Sequence, residues 1–281
     1  MKMEYTGERM VPEDADSNTF WEHIYRYRFA CSYVRGKRVL DIACGEGYGA
    51  AALLKSGASN LTGVDISAEA CEHAAQRYGI TTKTGDAKKI PLGDKSVDIV
   101  VSFETIEHVD QPDRFLDECV RVLAPGGKLI ISTPNVDSRD NHTEPNPFHL
   151  KELNLKEFKS LLEERFERVD LYTQCPKNAV WWSLRSFSAN QPFWRKISGF
   201  GYFQKLLRRI FCPEIHSADK LRQSRQDPIH FIMSESHRIN SFGNPFAIRP
   251  FRAAVKEIPI YYAAVATLNK SASSKPWAGK S

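Results

Sequence analysis

The stretch VLDIACGEGYG, Val39 to Gly49, decides the fold. Val39, Leu40 and Ile42 read as a buried apolar strand, Gly45 and Gly47 let the backbone pass close to a ligand, and YGAAALL from Tyr48 reads as the helix that follows. A strand that breaks into a glycine turn and opens a helix implies a pocket for a nucleotide-like cofactor.

Sixty residues of context make the loop specific. LTGVDIS puts Asp65 at the end of a second strand, 18 residues after Gly47, where a carboxylate can accept both hydroxyl protons of a ribose. A nicotinamide dehydrogenase shares that feature, but its glycine spacing is G-x-G-x-x-G and here it is GEGYG. Asp41 also occupies the tip of the first strand, and a carboxylate there repels a pyrophosphate. A cofactor with a sulfonium, an ammonium and no phosphate suits it: S-adenosylmethionine.

The ordered set DIACGEG, VDIS, GDA, DIVVSFETIEHV and LAPGGKLIISTPN resembles the class I S-adenosylmethionine-dependent methyltransferases, over roughly Lys37 to Asn135. The resemblance implies an α/β fold with a Rossmann-like seven-stranded sheet. It places Gly45 and Gly47 along the methionine part of the cofactor, with Asp41 and Ala43 beside them. Asp65 would hold the ribose, Ile66 pack on adenine, and Asp86 with Ala87 sit at the adenine amine. Phe103 and Glu104 would face the sulfonium.

A chain of 281 residues exceeds one such domain. Six scattered cysteines without a C-x-x-C pair argue against a zinc site or a disulfide framework and fit a reducing cytoplasm. No run approaches the roughly 18 apolar residues of a membrane helix, and the first residues are polar, so the expected location is cytoplasmic. The net charge of +5 is uneven: Cys175 to Glu257 holds 14 Lys plus Arg against 5 Asp plus Glu, leaving −4 on the remainder. A solvated basic face explains this, as does an anionic substrate or the inner face of a membrane.

Four segments follow: an N-terminal lid over 1–36, the cofactor core over 37–173, a substrate-side insertion over 174–257, and a closing strand with tail over 258–281. Strands are expected near Ile80–Lys83, Ser96–Glu104, Lys128–Ser132, Phe166–Gln174 and Ile258–Thr267. Helices are expected over Ala68–Tyr78, Pro112–Leu123, ended by Gly126-Gly127, and Leu155–Arg165. The insertion separates strands six and seven, and loops of such length are generally functional. Within it, Tyr202–Phe211 (YFQKLLRRIF) is basic on one face and apolar on the other, a pattern that packs on its own domain or lies on a membrane. Trp181, Trp182, Phe187, Phe193 and Trp194 add aromatic surface for core filling, sugar stacking or an isoprenoid chain.

Methyl transfer to an alcohol requires a group that removes a proton. His108 in FETIEHV and His149 in NPFHLKE follow the fourth and fifth strands, on loops expected over the pocket, so His108, His149 and Glu104 are the catalytic candidates. Either histidine could instead be structural. The spacing Glu104-x-x-Glu107-His108, with His149, offers four ligands for Mg2+ or another divalent cation, and resembles the metal-dependent small-RNA 2′-O-methyltransferases without their downstream histidine pattern. TGERMVPED and FWEHIYRYRFA resemble methyltransferases of bacterial surface-polysaccharide clusters. On that resemblance the helix is a lid, and Arg9, His23, Tyr27 and Arg28 are candidates for the cofactor carboxylate or the acceptor. The expected partner is a saccharide or small-molecule acceptor, with O-methylation of a sugar in a glycan, lipid-linked or nucleotide-linked precursor. A quinone or phenol O-methyltransferase is the alternative, then an RNA methyltransferase, for which no binding module is recognisable. DNA is not expected, and the sequence leaves the oligomeric state open.

Overall fold

The computed structural model describes residues 10–12, 17–136, 146–174, 225–234, 248–250 and 261–269. Strands β1 (Arg38–Ile42), β2 (Asn60–Asp65), β3 (Thr81–Thr84), β4 (Val97–Phe103), β5 (Leu123–Pro134), β6 (Arg168–Gln174), β7 (Ile248–Pro250) and β8 (Tyr261–Thr267) form one sheet in the order β3-β2-β1-β4-β5-β8-β6-β7. The first five are parallel, and β8 enters antiparallel between β5 and β6. This is the Rossmann-like class I methyltransferase sheet expected from the sequence, with the short β7 as an additional edge strand on β6.

Helices cover both faces, so β1 and β4 are apolar almost throughout rather than alternating. Helices α1 (Ser17–Cys31) and α2 (Tyr48–Lys55) share one core with Val39 and Val101. On the other face α4 (Pro112–Val122) and α5 (Leu155–Glu163) pack Phe115 and Phe158 against Leu40 and Ile42. A helix α6 (Pro228–Ser234) brings Ile229 and Ile232 from the 174–257 region into the α1–α2 core.

Local chemistry sets the boundaries. Helix α3 (Ala68–Tyr78) starts where the Ser67 hydroxyl accepts from the Ala70 amide and stops at left-handed Gly79. Helix α5 opens on a capping box between Asn154 and Glu157. One expectation is corrected: Gly126-Gly127 does not end α4. Strand β5 begins at Leu123, and the glycines lie in an irregular stretch where its register with β4 shifts between Val97↔Leu123 and Ile99↔Lys128. A Cβ on Gly127 would stand 2.8 Å from the Ala124 carbonyl, so glycine marks a tight bulge rather than a cap.

The strand order reverses at β1, between β2 and β4, and crevices at such a point receive ligands beyond the carboxyl ends of the strands. Among the described residues no helix is long and apolar enough to cross a membrane.

Candidate active site

At the ends of β1 and β2 the loop is held by its own acid. Asp65 accepts the Gly45 amide at one oxygen (2.8 Å) and the Ser67 amide at the other (2.9 Å), so the carboxylate is pinned by two backbone donors and keeps further acceptor capacity on each oxygen. Gly47 has φ +82, and a Cβ there would lie 2.4 Å from Ala74 Cβ. Its lack of a side chain therefore serves the contact between loop and α3, a role that spacing alone did not distinguish from ligand approach. Ala43 (φ 60) and Glu104 (φ 52), both at strand ends, adopt left-handed backbone without being glycine, a strained conformation that concentrates at functional sites.

Asp41 is buried, and its carboxylate accepts the Tyr27 hydroxyl at 3.2 Å. Burial pushes its carboxyl up to about 8. A buried carboxylate in this condition suits a cationic partner. Close by, Ile66 follows Asp65 with an aliphatic side chain 75% exposed, a surface fit for a flat heterocycle. Asp86 accepts the Lys88 amide at 2.8 Å, beside the partly buried Ala87. These residues fit the ammonium, ribose and adenine of S-adenosylmethionine.

Helix α1 closes this side. Tyr27 packs edge-on against Phe103 (centroids 5.1 Å) and Tyr48, and a Cβ on Gly49 would fall inside its ring, 2.0 Å from Cζ. The third glycine of GEGYG thus admits the lid residue. Arg28 is buried, with its guanidinium 5.4 Å from the Tyr25 ring centroid. The sequence reading missed Arg26: fully buried, it pairs with Glu104 at 3.1 Å, donates to Gln174 and lies over the Tyr261 ring. One side chain thereby joins α1, β4, β6 and β8. An arginine in a helix otherwise read for its histidine and tyrosine gave little hint of this. His23 contacts the Tyr48 hydroxyl, and burial holds it well below the usual histidine range.

At the ends of β4 and β5 a second cluster forms. A 3₁₀ turn, Ile106–His108, follows β4, and the Glu107 carbonyl accepts the amides of Leu150 (2.8 Å) and Lys151 (3.2 Å). Those two bonds staple the NPFHLKE loop beside it, so His108 and His149 meet edge-to-face with centroids 4.9 Å apart. His108 Nδ1 contacts the Phe148 carbonyl at 2.9 Å, and His149 Nδ1 contacts the Glu152 carboxylate. Glu107 is wholly buried and accepts the Thr133 hydroxyl at 3.1 Å; burial first, then the charge of Glu104, raises its carboxyl well above the usual range. Phe148 and Leu150 leave apolar surface exposed on either side of His149.

The four-ligand expectation is corrected to three. One potential ligand atom each from Glu107, His108 and His149 lie within 4.8 Å of one another, and Glu104 is not among them. Its carboxylate faces the other way, onto the Ser132 hydroxyl (2.6 Å) and Arg26. The left-handed backbone at Glu104 separates it from the turn that carries Glu107 and His108. Arg9, Tyr202–Phe211 and the tryptophan-rich stretch lie outside the described residues.

Residues 40–131 match the methyltransferase domain family. A probable S-adenosylmethionine-dependent methyltransferase of Mycolicibacterium smegmatis is 40% identical over 163 residues, 56% of this chain and 63% of that protein. One from Mycobacterium tuberculosis is 40% identical over 162 residues, 56% of this chain and 58% of its own length. The matched part therefore spans about three-fifths of these relatives. Among solved structures, a Thermotoga maritima S-adenosylmethionine-dependent methyltransferase described as a possible histamine N-methyltransferase superposes with TM-score 0.55 at 17% identity, covering 92% of this chain and 97% of that one. The [4+2]-cyclase SpnF superposes at 0.51 with 15% identity over 91% of this chain and 86% of its own, so the fold by itself does not specify the reaction. Sheet order and sequence match agree: residues 40–131 match a methyltransferase domain, within a sheet of the class I methyltransferase fold.

Proposed function

We propose that the protein transfers a methyl group from S-adenosylmethionine to a hydroxyl, on a sugar of a glycan, lipid-linked or nucleotide-linked saccharide precursor. The observation that carries the O-methylation reading is the pair His108–His149 beside buried Glu107, held at the carboxyl end of β4 and β5 by two backbone bonds. The sugar rests on less: the likeness of the N-terminal motif and NPFHLKE to polysaccharide-cluster enzymes, and the basic, aromatic 174–257 region.

When bound, the cofactor supplies an electrophilic methyl on a sulfonium. The chain's own contribution is placement, exclusion of water and removal of a proton. Asp41 would hold the cofactor's ammonium and Asp65 its ribose. Helix α1 lays Tyr27 against Phe103 of β4 and shields this region from water. Glu107, His108 and His149 receive the acceptor's proton or weaken its hold, and Phe148 with Leu150 offers apolar contact to the rest of the acceptor. A second cofactor, a divalent ion, is proposed on the three-residue cluster alone.

A lipid or quinone hydroxyl is the second reading. The relatives include a phthiotriol/phenolphthiotriol dimycocerosates methyltransferase of Mycobacterium ulcerans, 36% identical over 40% of this chain and 43% of that protein, and a ubiquinone biosynthesis O-methyltransferase of Coxiella burnetii, 38% identical over 36% and 45%. Transfer of labelled methyl into fractionated extract of the source organism separates the readings. Label that yields a methylated sugar on hydrolysis supports the first; label in neutral lipid or quinone supports the second and removes the sugar.

A further inference from the structure

We infer that Glu107, His108 and His149 form a binding site for one divalent transition-metal ion. Ligands at about 2.0–2.2 Å from such an ion stand roughly 3 Å apart, and the observed mutual distances of up to 4.8 Å leave a gap that small side-chain rotations close.

Three features favour an ion over a purely protein-satisfied cluster. First, Glu107 is 0% exposed, yet its Oε1 has no hydrogen-bond partner among the described residues, while Oε2 takes the Thr133 hydroxyl. A buried carboxylate oxygen facing no donor is costly, and a cation in the cluster removes the cost. Second, the nearby Arg26 guanidinium pairs with Glu104, and among the described residues Glu107 makes no direct ion pair. Third, both imidazoles have their protons directed away. The Phe148 carbonyl can only accept, which fixes a proton on His108 Nδ1 and a lone pair on Nε2. His149 Nδ1 faces the Glu152 carboxylate, and its Nε2 faces the Asn146 amide nitrogen, whose own oxygen accepts the Phe148 amide. Asn146 is therefore oriented with its NH₂ donating to the Nε2 lone pair, so an ion ligates this nitrogen by displacing the amide. A histidine whose other nitrogen donates to a carboxylate or a carbonyl is oriented for ligation.

Two imidazoles and one carboxylate favour Zn2+, Fe2+, Co2+ or Mn2+ over Mg2+, which prefers oxygen ligands. Three protein ligands leave coordination positions open. On the hydroxyl reading above, which the binding itself does not require, an ion held by Glu107, His108 and His149 would supply Lewis-acid chemistry that eases loss of the acceptor's proton.

The test is titration of the chelator-treated, tag-free full-length protein with Co2+, followed by calorimetry and visible absorption. One equivalent should bind with d–d bands, and His108→Ala and His149→Ala should each weaken it at least tenfold while S-adenosylmethionine affinity is retained. Absence of a saturable equivalent, or binding indifferent to both substitutions, overturns the site, and displacement of Co2+ by equimolar Mg2+ overturns the choice of ion. Should the variants fail to fold, the wild-type imidazole ¹⁵N spectrum decides. Two of the eight histidines should shift with one equivalent of Zn2+, and a spectrum without such shifts rejects the proposal. None of these readouts depends on methyl transfer.

Discussion

The two halves of the crevice are built in opposite ways. On the β1–β2 side, Asp41, Gly45 and Asp65 belong to one β–α–β unit, and a backbone amide only 20 positions away holds the Asp65 carboxylate. On the β4–β5 side, His108 and His149 meet because loops about 40 positions apart are joined by two amides on one carbonyl and by His108 on the Phe148 carbonyl. The first half is a local motif whose geometry follows from its strand and turn. The second is an assembly in which each group depends on contacts distant in sequence. Cofactor binding should therefore tolerate damage to the acceptor half, whereas damage to the strut between the halves should reach both.

That strut is Arg26, and its removal should have the largest effect. Arg26→Met leaves Glu104 buried without its cation, an expected loss of about 3 kcal/mol of stability, read by denaturant unfolding. Burial already raises the Glu104 carboxyl and Arg26 holds it down, so without Arg26 it would bind its proton more tightly still in the folded state, and the loss should grow as pH rises above the ordinary carboxylate range. A variant as stable as the parent at pH 8 would show that the halves are not braced through this side chain. Next, His149→Ala should slow turnover by about 10² while cofactor affinity changes less than twofold; equal turnover would remove the second half from the mechanism. Conversely, Asp65→Ala should weaken cofactor binding by about thirtyfold or more by calorimetry, since the ribose and the Gly45 amide lose their acceptor together. Near-normal affinity would reject the local half.

The smallest effect is a proton. Burial pushes the Asp41 carboxyl up to about 8, so it should carry its proton in the cofactor-free protein at neutral pH. Its folded value lies above its unfolded one, so its contribution to stability declines as pH rises from about 4 and is gone above about 8. An ammonium bound there displaces that proton. Calorimetry in buffers of different ionisation enthalpy should show proton release on cofactor binding at pH 7, little at pH 9, and none with Asp41→Asn, which should also raise the cofactor-free melting temperature at pH 8. Proton release unaltered in Asp41→Asn would place the ammonium elsewhere.

Legibility in the sequence follows the same division. Helix α3 was readable to the residue because Ser67 and Gly79 mark its ends with local chemistry. Asp41 and Asp65 were readable because strand ends and glycine spacing fix where they stand. The pairing of Glu104 with Arg26 was not, since spacing in Glu104-x-x-Glu107-His108 says nothing about a left-handed residue that turns one carboxylate toward a helix 78 positions earlier. Glu152 was invisible for a related reason: an acidic residue on a polar loop carries no signal until its histidine is placed. Strand β7 was missed because a three-residue edge strand leaves almost no pattern.

The insertion of β8 between β5 and β6 bears on how the chain is made. During synthesis β1 to β5 can pair as they emerge, but β6, whose other neighbour is the short β7, cannot join them until Tyr261–Thr267 leaves the ribosome. Until then the edge of β5, with buried Leu129, Ile130 and Ile131, stands open to other nascent chains. The interval that delays closure is the 174–257 region, so whatever acceptor specificity that region provides comes with a longer exposure to misassembly.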